Sequence, residues 1–300
     1  MNAHCLVCQA NTGRFWFSKN NCHLYRCTQC KLIFPFPLPT GMAAMYSTEY
    51  FCGANEGYGY SNYEKIQRAN NYTFHKFLDH IETAHPKRGK LLDVGAATGT
   101  FLETARTRDW EVEGIEISAY AAEQCQQKGL QVITGTLETA KLHPHTFDVI
   151  TLWDVFEHVA DQEDTLRHIL KLLRPGGILA LNMPDAGSLY ARTLGSWWPL
   201  IVPPEHLFLF NKRNADALLN RFGFKIVKTA KVGKRFNPSY ILQVLYTVRY
   251  QAIWKKMAAL IKRTPIDKIQ IPLNLRDNIF IIAKAPQVDV PASPPPHCDS

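Results

Sequence analysis

The segment KLLDVGAATGTFLETARTR, residues 90–108, decides the fold of this 300-residue chain. A short apolar run ends at Gly95, and a segment of helical character begins at Thr100. Glycine at positions 95 and 99 of the intervening loop permits a tight turn and a close approach of the backbone to a ligand. A strand, a glycine-containing loop and a helix N-terminus in this order predict a site for a carboxylate or a phosphate.

The chain after this loop alternates between strand and helix patterns. Strand patterns cover 111–117, 130–135, 147–153 and 177–184, and helical patterns cover 118–129 and 160–173. Strands separated by helices predict a parallel, doubly wound α/β sheet that binds ligands at the carboxyl ends of its strands. Glu116 ends the second strand, 21 residues after Gly95, where an acid can hold both hydroxyls of a ribose. The predicted ligand is an adenosine-type nucleoside with an anionic group, and a dinucleotide is one candidate.

Three further features favour a ligand other than a dinucleotide. Ala97 stands where the dinucleotide fingerprint has its second glycine, WDVFEH (153–158) follows the fourth strand, and the next helix ends in LRPGG (173–177). With these, DVGAATGTFLE, GIEIS, FDVITLWDVFEHV and LLRPGGILALNMP resemble the successive motifs of class I S-adenosylmethionine (SAM) dependent methyltransferases, closest to the ubiquinone-biosynthesis-like group. The resemblance covers about residues 88–230. It implies an α/β, Rossmann-like sheet of seven strands whose last strand is antiparallel.

The resemblance also implies which residues bind SAM. The loop after the first strand would surround the methionine part, the acid after the second strand would bind the ribose, and GTLE (135–138) would lie beside the adenine. Thr136 replaces an Asp that the family often has, which leaves the Leu137 backbone or Glu138 to contact the adenine amino group. The implied cofactor-binding residues are Asp93, Gly95, Ala97, Gly99, Glu116, Ile117, Leu137 and Trp153.

Four N-terminal cysteines form two C-x2-C pairs, Cys5/Cys8 and Cys27/Cys30. Two such pairs can complete a closed tetrahedral zinc site, which predicts a structural Zn²⁺ that holds a small ribbon together. Scattered thiols or a redox pair are the alternative, and Cys22, His23 or His4 are less regularly spaced substitutes as ligands. With PFPLPT (35–40) and MYSTEYF (45–51), the segment also resembles the zinc-binding leader of bacterial methyltransferases of sugar and secondary-metabolite pathways.

The first candidate catalytic cluster is Asp154-x-x-Glu157-His158, which follows the fourth strand. On a helix or turn these positions share a face, and a divalent ion held there would lower the pKa of an acceptor hydroxyl. Some ubiquinone-type O-methyltransferases carry such a metal site, so the resemblance implies one at Asp154, Glu157 and His158. The alternative is that Glu157 and His158 only shape the SAM pocket.

The second candidate cluster is Pro203-Pro204-Glu205-His206, within WWPLIVPPEHLFLF (197–210). A histidine beside an acid, among aromatic residues and prolines, suits a general base at the mouth of an apolar pocket. The pair resembles the Glu-His of sugar C-methyltransferases, whose preceding tyrosine is replaced here by proline. A packed, hydrogen-bonded histidine is the alternative interpretation.

The net charge of +8 is distributed unevenly. Residues 41–224 carry 17 basic and 22 acidic side chains, whereas 225–276 carry 12 basic side chains and only Asp267. Within the latter, 240–263 predicts a basic amphipathic helix. A helix of this kind packs on its own domain with a solvated basic face, or else lies at a membrane interface, caps the acceptor pocket or pairs with a second subunit. The sequence has neither a signal-peptide pattern nor a membrane-spanning run, which predicts a cytoplasmic protein, peripheral to the inner membrane face if the helix binds lipid.

The predicted organisation has six segments. They are a zinc ribbon (1–34), a linker with a helical segment (35–87), a SAM-binding core (88–232), a basic insertion (233–276), the last strand of the core (277–285) and a disordered tail (286–300). The predicted function is SAM-dependent methylation of a small-molecule hydroxyl on a sugar, a glycan or a lipid-linked intermediate. RNA methylation and sugar C-methylation are the alternatives. The Asn/Asp-Pro-Pro-Tyr motif of the amino-methylating DNA enzymes is absent from the sequence, and nucleic acid is not the expected partner.

Overall fold

The architecture is taken from a computed structural model, which describes residues 3–41, 45, 71–249 and 252–287. Most of the predicted linker and helical segment (35–87), nearly all of MYSTEYF and most of the predicted tail (286–300) lie outside the described residues. Two cysteines outside the N-terminal pairs, at positions 52 and 298, also lie outside the described residues.

The N-terminal segment forms a three-stranded antiparallel sheet of β1 (Gly13–Lys19), β2 (Cys22–Cys27) and β3 (Ile33–Pro35). The turn between the first two strands places Asn20 and Asn21 at φ of 50° and 58°. Asparagine tolerates this left-handed conformation better than most residues, which explains the tight hairpin.

The central element is a seven-stranded sheet with helices on its faces. The elements that build it are α1 (Asn71–Ala84), β4 (Lys90–Val94), α2 (Thr100–Arg106), β5 (Glu111–Glu116), α3 (Ala119–Gln127), β6 (Gln131–Thr134), β7 (Phe147–Trp153), α4 (Gln162–Leu172), β8 (Leu173–Pro184), α5 (Leu189–Leu194), α6 (Lys212–Arg221), β9 (Lys225–Ala230) and β12 (Asn278–Lys284). The strand order is β6-β5-β4-β7-β8-β12-β9, and β12 runs antiparallel to both of its neighbours. This confirms the predicted fold.

Helix boundaries follow local capping. Asp161 caps α4 by accepting a hydrogen bond from the backbone N–H of Asp164, and Asn211 and Asn214 form a reciprocal capping box at the start of α6. The predicted fifth strand begins earlier than 177, because β8 already pairs with β7 at Leu173. A register shift in β7 between Phe147 and Val149 accommodates the intervening Arg-Pro-Gly-Gly segment.

The basic insertion differs from the single helix predicted over 240–263. It contains a two-stranded sheet of β10 (Lys234–Phe236) and β11 (Ile271–Leu273), and between these strands lie two helices, α7 (Pro238–Arg249) and α8 (Ala252–Ile261), that contact each other. The helical pattern was recognised correctly, but the pattern alone does not show where a chain folds back on itself. No helix in the described ranges is long and apolar enough to cross a membrane.

The ribbon shares its core with the main domain. Leu24 and Ile33 of the ribbon are buried in one cluster with Trp198, Ile201 and Leu209. A second cluster joins ribbon residues to the apolar face of the central sheet. The ribbon is therefore packed into the body of the protein, against the segment that follows β8.

Candidate active site

A cleft with an empty volume of about 280 Å³ opens at the carboxyl ends of β4 and β7. Helix α1 contributes one wall through Phe74, and β7 contributes its last residue, Trp153. The complete lining is Phe74, Asp93, Gly95, Ala96, Ala97, Thr98, Thr100, Phe101 and Trp153. The cleft therefore lies where ligands bind in open parallel sheets.

The loop between β4 and α2 requires its two glycines. Gly95 and Gly99 have φ of 78° and 84°, a conformation that L side chains rarely adopt. A Cβ on Gly95 would lie 2.5 Å from Val155 Cγ2, and one on Gly99 would lie 2.5 Å from Leu130 Cδ1. Close packing and backbone conformation thus both exclude a side chain at these positions.

Glu116 ties the end of β5 to this loop. It is 4% exposed, its Oε2 accepts a hydrogen bond of 2.7 Å from the Ala97 N–H, and its Oε1 accepts one of 2.8 Å from the Ser118 N–H. Burial raises the pKa of the Glu116 carboxyl, and the backbone hydrogen bonds oppose that rise. Glu116 therefore orders the loop, in addition to its predicted role at the ribose.

Several polar groups of the cleft are buried. Thr151 Oγ1 donates a 2.6 Å hydrogen bond to Asp93 Oδ1, and burial raises the pKa of Asp93 well above its usual value. Thr98 Oγ1 and Trp153 Nε1 are buried with no hydrogen-bond partner among the described residues. Since unsatisfied buried polar atoms are costly, they fit a polar ligand such as SAM.

The cleft contains half of the predicted cofactor residues. Asp93, Gly95, Ala97 and Trp153 line it, whereas Gly99, Glu116, Ile117 and Leu137 do not. The Leu137 side chain is 4% exposed and belongs to the hydrophobic core. The aromatic side chains of the cleft were not predicted. Phe101 lies inside the motif DVGAATGTFLE, but Phe74 precedes it and no motif marks that position.

A second cluster follows β7 in a short 3₁₀-helix, Phe156–His158. The Glu157 side chain is 1% exposed, and neither carboxylate oxygen has a hydrogen-bond partner within the described part of the chain. Burial raises the pKa of Glu157 well above its usual value, and the negative charge of Asp154 raises it further. Glu157 Oε1 lies 3.9 Å from His158 Nε2. A buried carboxyl that accepts no hydrogen bond destabilises the fold and is typical of a functional site.

Two histidines approach this carboxyl. His158 Nδ1 donates to the Glu205 carbonyl at 2.7 Å, and His206 Nδ1 donates to the Leu200 carbonyl at 2.6 Å. Because a carbonyl can only accept, both imidazoles carry their proton on Nδ1. The two ring centroids lie 4.8 Å apart. The pKa of His206 is lowered to about 3, mainly because the side chain is buried. Its Nε2 is therefore an unprotonated lone-pair donor at neutral pH.

The structure groups Glu157 and His158 with a different third residue from the one that the sequence predicted. Asp154 Oδ2 accepts a 2.5 Å hydrogen bond from Lys234 Nζ, and its Oδ1 accepts one of 2.6 Å from Asn182 Nδ2. Three potential ligand atoms lie within 4.8 Å of one another, one each from Glu157, His158 and His206. His206 thus joins this group instead of Asp154, because Asp154 has a left-handed backbone (φ 54°) and pairs with the insertion. Neither Lys234 nor this pairing was predictable from a motif.

The four ribbon cysteines meet as predicted. Their Sγ atoms lie within 4.8 Å of one another, with Cys5–Cys30 at 3.5 Å and Cys8–Cys27 at 3.4 Å. Tetrahedral zinc at its usual Zn–S distance requires sulfur separations of about 3.8 Å, so the four thiols fit the ion. The substitutes make other contacts: His4 bonds to Asn11 and His23 to Ser18, while Cys22 is not in the group.

The ribbon contacts the segment that carries His206. Asn20 Nδ2, in the β1–β2 turn, donates a 2.8 Å hydrogen bond to the Pro203 carbonyl. Ile33 forms an isolated backbone bridge with Leu209. The predicted pair Glu205 and His206 is thus flanked on both sides by ribbon contacts.

Comparison with known proteins agrees with this geometry. A family model described as "Methyltransferase domain" matches residues 63–229. The chain is 30% identical over 163 residues to a ubiquinone biosynthesis O-methyltransferase of Azoarcus sp., covering 50% of this chain and 69% of that protein. It is 29% identical over 141 residues to the enzyme of the same description from Saccharophagus degradans, covering 44% of this chain and 59% of that protein.

The fold is also similar to solved structures. A SAM-dependent methyltransferase from Archaeoglobus fulgidus superposes with a TM-score of 0.50 at 18% identity. The match covers 74% of this chain and 96% of that one. At this identity the similarity concerns the fold alone.

Proposed function

We propose that this chain methylates a hydroxyl group of a small-molecule acceptor. The chain belongs to the methyltransferase domain family and is a SAM-dependent methyltransferase. SAM supplies the methyl group on a sulfonium that is already an activated leaving group. The protein must then hold the acceptor in line with that methyl and remove the hydroxyl proton. The observation that carries the proposal is the group of Glu157, His158 and His206, two members of which lie in the 3₁₀-helix that follows β7, whose last residue, Trp153, lines the cleft. The relatives named as O-methyltransferases support a hydroxyl acceptor.

His206 acting alone would be a poor general base for the proton of the acceptor hydroxyl. A base whose pKa is lowered to about 3 takes a proton from a hydroxyl only weakly, because an effective general base has a pKa near the working pH. The same neutral imidazole is a good metal ligand. We therefore assign His206 to binding a divalent ion together with Glu157 and His158.

The three residues fit such an ion. Both imidazoles have their Nδ1 fixed by backbone carbonyls, as is usual when the other ring nitrogen binds a metal. The ion would neutralise the buried Glu157 carboxylate and lower the pKa of an acceptor hydroxyl. Two imidazoles and one carboxylate suit zinc, iron or manganese better than magnesium or calcium.

The ribbon cysteines would hold a structural zinc ion. Four thiolates leave no open coordination position, so this site would hold the ribbon against the segment that carries His206. In Cys27→Ser we expect loss of one zinc per chain and a lower unfolding temperature, measured by elemental analysis and thermal unfolding. Cys22→Ser is the matched control and should retain the metal, because Cys22 lies outside the cluster.

Among hydroxyl acceptors, we favour a lipid-linked intermediate over a free sugar or a glycan. The relatives are named for ubiquinone biosynthesis, and the exposed surface of the insertion carries apolar and cationic side chains.

The function is tested with methyl-labelled SAM. The purified protein is incubated with labelled SAM and an extract of cells that lack the gene, and new labelled species are sought by mass spectrometry. We expect a labelled product in the lipid-soluble fraction and none with His206→Ala. Label in RNA would favour the rejected alternative, and label bound through carbon would favour C-methylation.

A further inference from the structure

The insertion between β9 and β12 exposes many apolar side chains. Isolated exposed apolar residues are common, but a contiguous group marks an interaction surface. Eight such residues fall between positions 245 and 275, with exposed fractions from 37% to 69%. They are Leu245, Ile253, Met257, Leu260, Ile266, Ile269, Ile271 and Leu275.

Helix α8 carries three of them on one face. Ile253, Met257 and Leu260 are spaced four and three residues apart, so their side chains lie on the same side of the helix. Ala258, which is 2% exposed, marks the side that packs on the protein. The exposed apolar face of α8 is thus distinct from the face that the fold buries.

The charges around this surface have one sign. The exposed basic residues of the insertion are Lys255, Lys256, Lys262, Arg263, Lys268 and Arg276. Asp267 is the only acid in 233–276, and it is 5% exposed. Its carboxylate accepts hydrogen bonds from the Ser239 N–H and from Asn237 Nδ2. The one negative charge therefore faces inward, and apolar and cationic groups remain on the surface.

We propose that the surface of 245–276, here called the insertion face, binds an anionic phospholipid membrane. Its apolar side chains would enter the boundary between headgroups and acyl chains, while its lysines and arginines contact lipid phosphates. Amphipathic helices that combine these two components lie in the membrane plane without crossing it.

Two other partners fit the same surface less well. Single-stranded nucleic acid is gripped by basic residues together with aromatic rings on which bases stack; none of the exposed apolar side chains of the described insertion is aromatic. A second copy of the chain would bring two cationic surfaces together, which is repulsive.

The insertion that carries this face also contacts the active site. Strand β10 of the insertion carries Lys234, whose Nζ donates to Asp154 beside the cleft. A membrane-bound insertion would thus keep this part of the active site near a bilayer that holds the acceptor. This consequence rests on the proposed function, whereas binding to the membrane does not.

The test is sedimentation of the full-length protein with lipid vesicles. Vesicles of phosphatidylcholine alone are compared with vesicles that contain roughly one third phosphatidylglycerol. We expect at least tenfold stronger binding to the anionic vesicles and a steep loss of binding as salt rises. Equal partitioning between the two compositions, or no binding to either, would overturn the proposal.

Two variants separate the components. Lys255→Glu/Lys256→Glu should weaken binding to anionic vesicles by more than tenfold, since each basic residue near an anionic surface is worth about fivefold. Ile253→Ser/Leu260→Ser should weaken it by a similar factor through lost apolar contacts. The control Lys141→Glu/Arg213→Glu changes exposed charges elsewhere and should bind as the wild type does.

Three further measurements keep the test decisive. Calorimetry with S-adenosylhomocysteine and thermal unfolding should give wild-type values for all variants, because none of these residues lies at the cleft. Equal vesicle binding by wild type and both insertion variants would disprove the proposal. Salt-sensitive binding to a single-stranded RNA oligomer without vesicle binding would replace it with the nucleic-acid alternative. No outcome depends on turnover, so failure of the proposed function would be seen separately.

Discussion

His158 and His206 lie with their ring centroids 4.8 Å apart, although the first follows β7 and the second lies beyond β8 and α5. Each imidazole is oriented by a backbone carbonyl, and the buried Glu157 carboxyl completes the group. In the sequence these residues belong to two separate motifs, each of which suggested its own catalytic role. The structure combines them into one group with the composition of a metal site.

The proposed metal site predicts a specific loss in His206→Ala. Removing one of three ligands should lower divalent-metal affinity by at least tenfold and abolish methyl transfer, while the affinity for S-adenosylhomocysteine changes little. Metal content by elemental analysis and the spectrum of the Co²⁺-substituted protein measure the loss. His143→Ala, at an exposed histidine, should keep both metal and activity. Metal content unchanged in His206→Ala would contradict the assignment.

Gly95→Ala should abolish SAM binding. The new Cβ would lie 2.5 Å from Val155 and the residue would be held at a φ of 78°, so the loop must move. Calorimetry with SAM is the measurement. Gly129→Ala is a matched control, because its φ is 68° but no atom lies within 4 Å of the new Cβ. It should lose about 1 kcal/mol of stability from backbone strain and bind SAM normally. Equal losses of SAM affinity in both variants would show that strain, not contact, matters.

The raised pKa of the buried Asp93 carboxyl predicts how the stability of the fold depends on pH. Burial raises the pKa of Asp93 above its unfolded value of 3.8. The folded state therefore holds this proton where the unfolded state has lost it, and stability falls as pH rises from about 4 through the folded pKa, by at most about 1.4 kcal/mol per pH unit.

Asp93→Asn should remove this pH-dependent loss. The difference in unfolding temperature between Asp93→Asn and the wild type should grow in favour of the variant from pH 4 to pH 7, in protein without SAM. Asp109→Asn, at an exposed position, is the control and should show no such trend. A constant difference across this range would indicate that Asp93 titrates normally.

The hydrogen bond from Asn20 to the Pro203 carbonyl predicts that the ribbon supports catalysis. Asn20→Gly keeps the left-handed turn but removes the hydrogen bond to the Pro203 carbonyl, a contact worth about 1 kcal/mol. We expect kcat to fall several-fold while the affinity for SAM is unchanged, because the segment with Glu205 and His206 loses a support. Asn21→Gly is the neighbouring control. If both variants keep full activity, the ribbon serves stability alone.

Four of the eight cofactor residues that the motifs of residues 88–230 imply line the cleft. Gly95, Ala97 and Asp93 line the cleft because a strand, a loop and a helix that are consecutive in the chain are also adjacent in space. Phe74 was missed because α1 precedes the motif and reaches the cleft only through packing. The single helix predicted over 240–263 proved to be two, since amphipathic spacing carries no signal for where the chain turns back.

The amino-acid sequence by itself determined the α/β sheet, the methyltransferase family and the four cysteines of the ribbon. These features rest on local spacing, which is the same in the chain and in the fold. Only the tertiary structure decided that Asp154 pairs with Lys234, that His206 joins Glu157 and His158, and that Asp267 turns inward. Each of these depends on contacts between segments tens of residues apart, and such contacts are set by how the strands cross and how the insertion packs.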